Sequence, residues 1–267
     1  MINTNSILSL KNISIGYKQN HEENILLKNL SLETKKGNLI CIIGRNGIGK
    51  STLIKTISGT QKPLYGNIYI DNTDVHLIES KILASKISMV YTDKIEVENL
   101  SVYDLISMGR FPYVSWLGIL SIDDESIINK AIALTGIEKI KNRSIITLSD
   151  GERQKVMIAR AITQNTDFIL LDEPTSHLDI AGRLDVFITL KKLCRQENKT
   201  ILLSTHQLDC ALQFADEIWL LTSDQNLIVG MPNDSIITNA ISSEFNSSYL
   251  LFDSESGVFK YQYNDII

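Results

Sequence analysis

Apolar positions along the chain follow two rhythms. Residues 39–43, 87–91, 168–171 and 200–204 are short unbroken runs rich in β-branched side chains, the pattern of strands buried on both faces. Between them, 50–58, 152–164 and 181–196 repeat at helical spacing, and strands alternating with helices predict an α/β fold with a mostly parallel sheet. In such sheets ligands collect at the carboxyl ends of the strands. Ahead of this core, 7–15, 25–32 and 66–70 alternate enough for antiparallel pairing, and from about 97 to 164 the pattern turns mainly helical, as an inserted lobe would. Beyond Thr222 only short pieces stand out, 227–229 and 235–242, with no recognisable site chemistry. The expected organisation is one domain, with a core at about 1–92 and 165–222, a helical subdomain at 93–164 and a C-terminal extension at 223–267.

Composition narrows this picture. An apolar share of 43% and a charged share of 21% suit a globular chain, and a net charge of −5 without a long basic run speaks against a nucleic-acid partner. The apolar stretches at 39–43, 114–122 and 168–171 fall far short of the roughly 20 residues that span a bilayer. Residues 1–12 show no basic segment followed by an apolar one, so a cytoplasmic location is expected. Cys41, Cys194 and Cys210, odd in number and widely spaced, read as reduced packing residues.

Two segments carry chemistry. Gly44, Arg45, Asn46, Gly47, Ile48, Gly49, Lys50 and Ser51 fit GxxxxGK[ST] and sit between a strand and a helical pattern, as a phosphate-binding loop must. Its glycines allow successive N–H groups to converge on an anion at a helix N-terminus. Lys50 is then expected to reach the β- and γ-phosphates of ATP, Ser51 to ligate Mg²⁺, and Thr52 to join the nucleotide contacts. The second segment, 168–173, is a strand ending in Asp172 and Glu173. Taken alone, such a pair is more often a solvated turn. With the loop upstream, Asp172 is expected to hold Mg²⁺ and Glu173 to position the attacking water.

Between these segments lies Leu148-Ser149-Asp150-Gly151-Glu152-Arg153-Gln154, and after them come Ser176-His177-Leu178-Asp179 and Ser204-Thr205-His206. Together the five motifs resemble the nucleotide-binding subunit of ATP-binding cassette (ABC) transporters, over about residues 7–221. The resemblance implies a P-loop NTPase core with an N-terminal antiparallel β subdomain and an inserted helical subdomain. It also implies that Ser149 and Gly151 contact the γ-phosphate held by a second protomer, that Asp179 couples the two sites, and that His206 hydrogen-bonds the γ-phosphate and the attacking water. Tyr17 falls where the family places a ring against adenine, although an ordinary strand aromatic also fits. Two positions depart from the family. Thr92 and Asp93 stand where a Mg²⁺-ligating Gln is usual, and Asp150 stands where Gly is usual in the signature loop.

Residues 100–113 resemble the opening of the helical lobe in importers of iron–siderophore complexes, haem and cobalamin. A generic amphipathic helix ending at Gly109 is the plainer reading. The family implies a homodimer of this chain on two membrane permease subunits, served by an extracytoplasmic binding protein. The alternatives are an ATPase of another transporter type and a non-transport regulator. The apolar stretch 114–120 offers either a docking surface for a permease helix or a buried piece of the lobe.

Overall fold

The computed structural model describes residues 6–19, 22–91, 97–115, 118–254 and 256–262. Strands β1 (Ser6–Gln19) and β2 (Glu22–Lys35) form a long antiparallel ribbon. Next come β3 (Leu39–Ile43), helix α1 (Lys50–Ile57), β4 (Tyr65–Ile70), β5 (Thr73–Asp74), α2 (Ser80–Lys86) and β6 (Ile87–Val90). The helical stretch holds α3 (Val102–Ser107), α4 (Ile122–Thr135) and α5 (Asp150–Thr163). The core resumes with β7 (Phe168–Leu171), α6 (Ile180–Glu197), β8 (Thr200–Ser204), α7 (Leu208–Phe214) and β9 (Glu217–Leu221). After it come β10 (Leu227–Gly230), α8 (Ser235–Phe245) and the hairpin of β11 (Leu250–Asp253) and β12 (Val258–Tyr261).

The larger sheet has the order β10-β9-β3-β8-β7-β6 and is parallel except at β10, while β2-β1-β4-β5 make a second, antiparallel sheet. The wholly apolar strand β3 shows why its run does not alternate. Ile40 and Ile42 face one core together with Ile7, Leu10, Leu53 and Ile57, whereas Leu39, Cys41 and Ile43 face a second core built with the helices. Each such aliphatic side chain contributes on the order of 1.5–3 kcal/mol on burial, so a polar substitution on either face of β3 is costly. The α/β architecture with an antiparallel sheet and a helical insertion is therefore the one the sequence predicts. The three cysteines are free and buried, and burial pushes the Cys194 thiol up to about 12.

Within the helical stretch, α3, α4 and α5 each open on a capping box, at Ser101/Asp104, Ser121/Asp124 and Ser149/Glu152. The plainer reading of 100–113 needs correction: α3 ends at Ser107, a short 3-10 turn follows at Met108–Arg110, and Gly109 is no helix cap. A Cβ at Gly109 would lie 2.4 Å from the Arg160 carbonyl oxygen, so glycine is there because the turn packs directly on α5. Arg110 beside it is buried, donating from Nε to Asp124 at 2.7 Å and from Nη1 to the Thr163 carbonyl at 2.9 Å. One buried cation thus ties the turn to both α4 and α5. In the stretch 114–120, Leu120 packs on the core while Ile119 is exposed, and Trp116 and Leu117 lie outside the described residues.

Candidate nucleotide site

The phosphate loop runs from the end of β3 to the start of α1. Gly44, Gly47 and Gly49 have φ of 153°, 75° and 115°, backbone angles that side-chain-bearing residues rarely adopt. Ile48 roots the loop by packing on the core beneath the sheet. Lys50 is buried, and its Nζ donates to the carbonyls of Gly44 at 3.0 Å and Arg45 at 3.1 Å. Burial lowers the pKa of this ammonium, while the carboxylates of Glu173 and Asp172 raise it. A buried cation resting on two neutral carbonyls is poised to exchange them for an anion.

β7 delivers the acids. Asp172 is buried, and its Oδ1 accepts from Ser51 Oγ at 3.0 Å and from Ser204 Oγ at 2.7 Å. Ser204 also accepts the backbone N–H of Glu173 at 2.8 Å, so one hydroxyl at the end of β8 fixes both acids. Glu173 has φ 48°, an unfavourable angle for a residue with a side chain, and the bond to Ser204 helps to hold it there. Its Oε1 lies 2.6 Å from His206 Nε2. Sequence reasoning gave Ser204 no role; its signal is a hydroxyl closing an otherwise apolar strand beside two acids.

These groups line a cavity of about 410 Å³, in which Asn46, Gly47, Gly49, Lys50, Ser51, Thr52 and Glu173 meet Tyr17, Asn24 and Leu26 of the β ribbon. Tyr17 Oη lies 2.5 Å from Thr52 Oγ1, and its ring is half exposed at the cavity. Asn24 sits opposite Tyr17 in the ribbon register, so both side chains lie on one face. Gly44, Arg45 and Ile48 shape the loop without lining this cavity.

The donor set also bears on a metal. A hydroxyl and a carboxylate, Ser51 and Asp172, already share a hydrogen bond, and these hard oxygens suit Mg²⁺. Among the described residues no three His, Cys, Asp or Glu side chains cluster as a metal site. Thr92 and Asp93 lie outside the described residues.

Three expected site residues are elsewhere. Ser149, Gly151 and Asp179 do not line the cavity, and Ser149 and Asp179 are exposed. Ser149 caps α5: its Oγ accepts from Glu152 N at 3.2 Å, and its own N–H donates to Glu152 Oε2 at 2.9 Å, which holds that carboxyl below its ordinary pKa. Asp150 begins the helix at the positive end of its dipole. Asp179 caps α6 by accepting from Gly182 N at 2.8 Å. Arg183 then donates to the Leu178 carbonyl and, at 2.8 Å, to Gln207, joining this loop to the one that carries His206.

Comparison with known proteins places the chain. The family model described as ABC transporter matches residues 27–176. The chain is 32% identical over 260 residues to an uncharacterised ABC transporter ATP-binding protein of Methanocaldococcus jannaschii, covering 97% of this chain and 88% of that one. It is 32% identical to the achromobactin transport ATP-binding protein of Dickeya dadantii, covering 90% and 87%. To the petrobactin import ATP-binding protein of Bacillus anthracis it is 34% identical, covering 86% and 82%. Among solved structures it is similar to a transporter assigned to the metal-chelate type, captured facing inward, at a TM-score of 0.77 and 28% identity over 90% of this chain and 89% of that one. It is also similar to a dimeric post-hydrolysis ATP-binding cassette bound to ADP and Pi, at 0.74 and 29% over 84% and 98%. With a family model matching more than half of its length and relatives above 30% identity along nearly all of it, this chain belongs to the ABC transporter family, as one of its ATP-hydrolysing cassettes.

Proposed function

We propose that the chain is the ATPase subunit of an importer for iron chelates of the siderophore type, working as a homodimer beneath two permease subunits fed by an extracytoplasmic binding protein. The observation that carries the substrate class is that relatives matched along 86–90% of the chain are named for achromobactin and petrobactin transport. The resemblance of the segment at 100–113 to the opening of the helical lobe in such importers supports the same reading.

In this reading ATP lies along the cavity with its base against Tyr17 and its phosphates over the loop of Gly44, Arg45, Asn46, Gly47, Ile48 and Gly49. Lys50 leaves its two carbonyl partners for the β- and γ-phosphates, and Thr52 borders the α-phosphate end. Ser51 and Asp172 would hold Mg²⁺, which supplies positive charge to the phosphates as negative charge shifts in the reaction. Glu173 orients the attacking water, and His206, bonded to its carboxylate, sets its direction and reaches the γ-phosphate. Ser149, Gly151 and Asp179 act on the partner's nucleotide. The exposure of Ser149 and Asp179, and the absence of all three from the chain's own cavity lining, support that assignment. Closure over two ATP molecules biases the permease between its two orientations, and hydrolysis releases the closed form.

No helix among the described residues is long and apolar enough to cross a membrane, so attachment through the permease is the expected location. The test is uptake of a radiolabelled ferric siderophore by cells whose only copy of this subunit carries Glu173→Gln. Uptake should be lost while unrelated transport continues; normal uptake would refute the role given to this chain.

A further inference from the structure

The phosphate loop is tied to the C-terminal segment by a contact that spans 199 residues. Arg45 Nε donates to the Glu244 carbonyl at 2.8 Å, and its Nη2 bonds the same oxygen. That carbonyl lies in the last turn of α8, where backbone oxygens lack helical partners and the helix dipole favours a cation. The Glu244 side chain turns the other way and is buried. Its carboxylate accepts the Ser223 N–H at 3.1 and 3.2 Å and the Ser223 hydroxyl at 3.1 Å, fixing the end of α8 to the turn after β9. Ile237 and Ile241 root the same helix in the core, and Phe259 of the hairpin meets Phe245 edge-on at 6.2 Å. On its other side the Arg45 carbonyl accepts Lys50 Nζ. A continuous path therefore runs from Ser223 through Glu244 and Arg45 to the ammonium that meets phosphate.

We propose that Arg45 is a positioning residue and α8 its anchor: the C-terminal segment holds the first half of the phosphate loop in the shape from which Lys50 passes to the nucleotide. This rests on the nucleotide-binding reading above. Because Arg45 is exposed and does not line the cavity, its guanidinium acts through the loop backbone and not on the phosphates.

Arg45→Met should raise the KM for MgATP about fivefold, more than it lowers kcat, and Arg45→Lys should recover part of that loss. Glu244→Ala, which touches no nucleotide, should raise KM in the same direction by about threefold, and Ser223→Ala by less. The pair Arg45→Met with Glu244→Ala should be no worse than Arg45→Met alone, because both break one path. Hydrogen exchange of 235–246 should slow when MgATP binds the unaltered chain and should not respond in Arg45→Met. Wild-type KM in both Glu244→Ala and Ser223→Ala, additive effects in the double variant, or an unresponsive α8 in the unaltered chain would overturn the proposal alone. Failure of the unaltered chain to bind MgATP would overturn the nucleotide reading beneath it.

Discussion

The phosphate loop and the signature loop are both helix N-termini, yet they are finished in opposite ways. At the first, α1 opens on Gly49 inside a walled cavity, where Ser51, Asp172, Ser204, Glu173 and His206 are linked by hydrogen bonds of 2.6–3.0 Å and Lys50 is held by the carbonyls of Gly44 and Arg45. At the second, α5 opens on Ser149 at the surface, and its cap is satisfied by its own Glu152, which Arg143 supports at 3.0 Å. A Cβ at Gly151 would meet only Leu178 Cδ2, at an ordinary 3.5 Å, so the fold of one chain does not require glycine there. One terminus opens into a cavity within the chain, and the other lies at the surface with its cap satisfied by its own residues.

The sharpest break in this contrast comes from Glu173→Gln, which keeps the shape of the walled site but removes the carboxylate proposed to orient the attacking water. Turnover should fall by about a hundredfold or more while MgATP affinity is retained, as measured by steady-state hydrolysis beside equilibrium nucleotide binding. Gly151→Leu attacks the bare terminus instead. Thermal stability and nucleotide affinity of the single chain should stay near wild type while hydrolysis is largely lost, and a variant that hydrolysed normally would show that nothing approaches α5.

Ser204→Ala tests how far the walled site depends on one shared hydroxyl. Removing it strips a partner from buried Asp172 and from the Glu173 N–H, and kcat/KM should drop about tenfold. The smallest effect lies outside both termini, at Asp124. Hydrogen bonds from the Ser121 hydroxyl and backbone, followed by Arg110, hold its pKa down at about 2. A carboxyl with a depressed folded-state pKa stabilises the fold above its unfolded value of roughly 3.9, and that stability disappears as pH falls toward the folded value. The gap in urea midpoint between wild type and Asp124→Asn should be constant above about pH 5 and should narrow as the solution is acidified toward about pH 2.

The walled site was legible in the sequence because its chemistry is local. A glycine-spaced loop and a strand closing on two acids carry their signals within eight and six residues. β3, β7 and β8 were equally plain, since strands buried on both faces are written as unbroken apolar runs. β9 has such a run too, at 217–221, but it follows the short helix α7 and carries no motif to single it out. The ribbon β1–β2 extends beyond its apolar alternation because its outer end is held by polar pairs, Lys18 with Glu23 at 2.9 Å and Tyr65 with Glu23 at 2.7 Å. α2 and the β11–β12 hairpin lie mostly at the surface and bury too little to impose a period. The tie between Arg45 and Glu244 was out of reach because it joins a side chain to a backbone carbonyl, an acceptor that no residue type encodes.

Sedimentation of the Glu173→Gln chain, with and without saturating MgATP, tests most directly whether the bare terminus completes the walled one. The account predicts a monomer without nucleotide, a dimer with it, and a nucleotide-bound monomer when Gly151→Leu is added. A chain that binds MgATP yet stays monomeric at every concentration would contradict it.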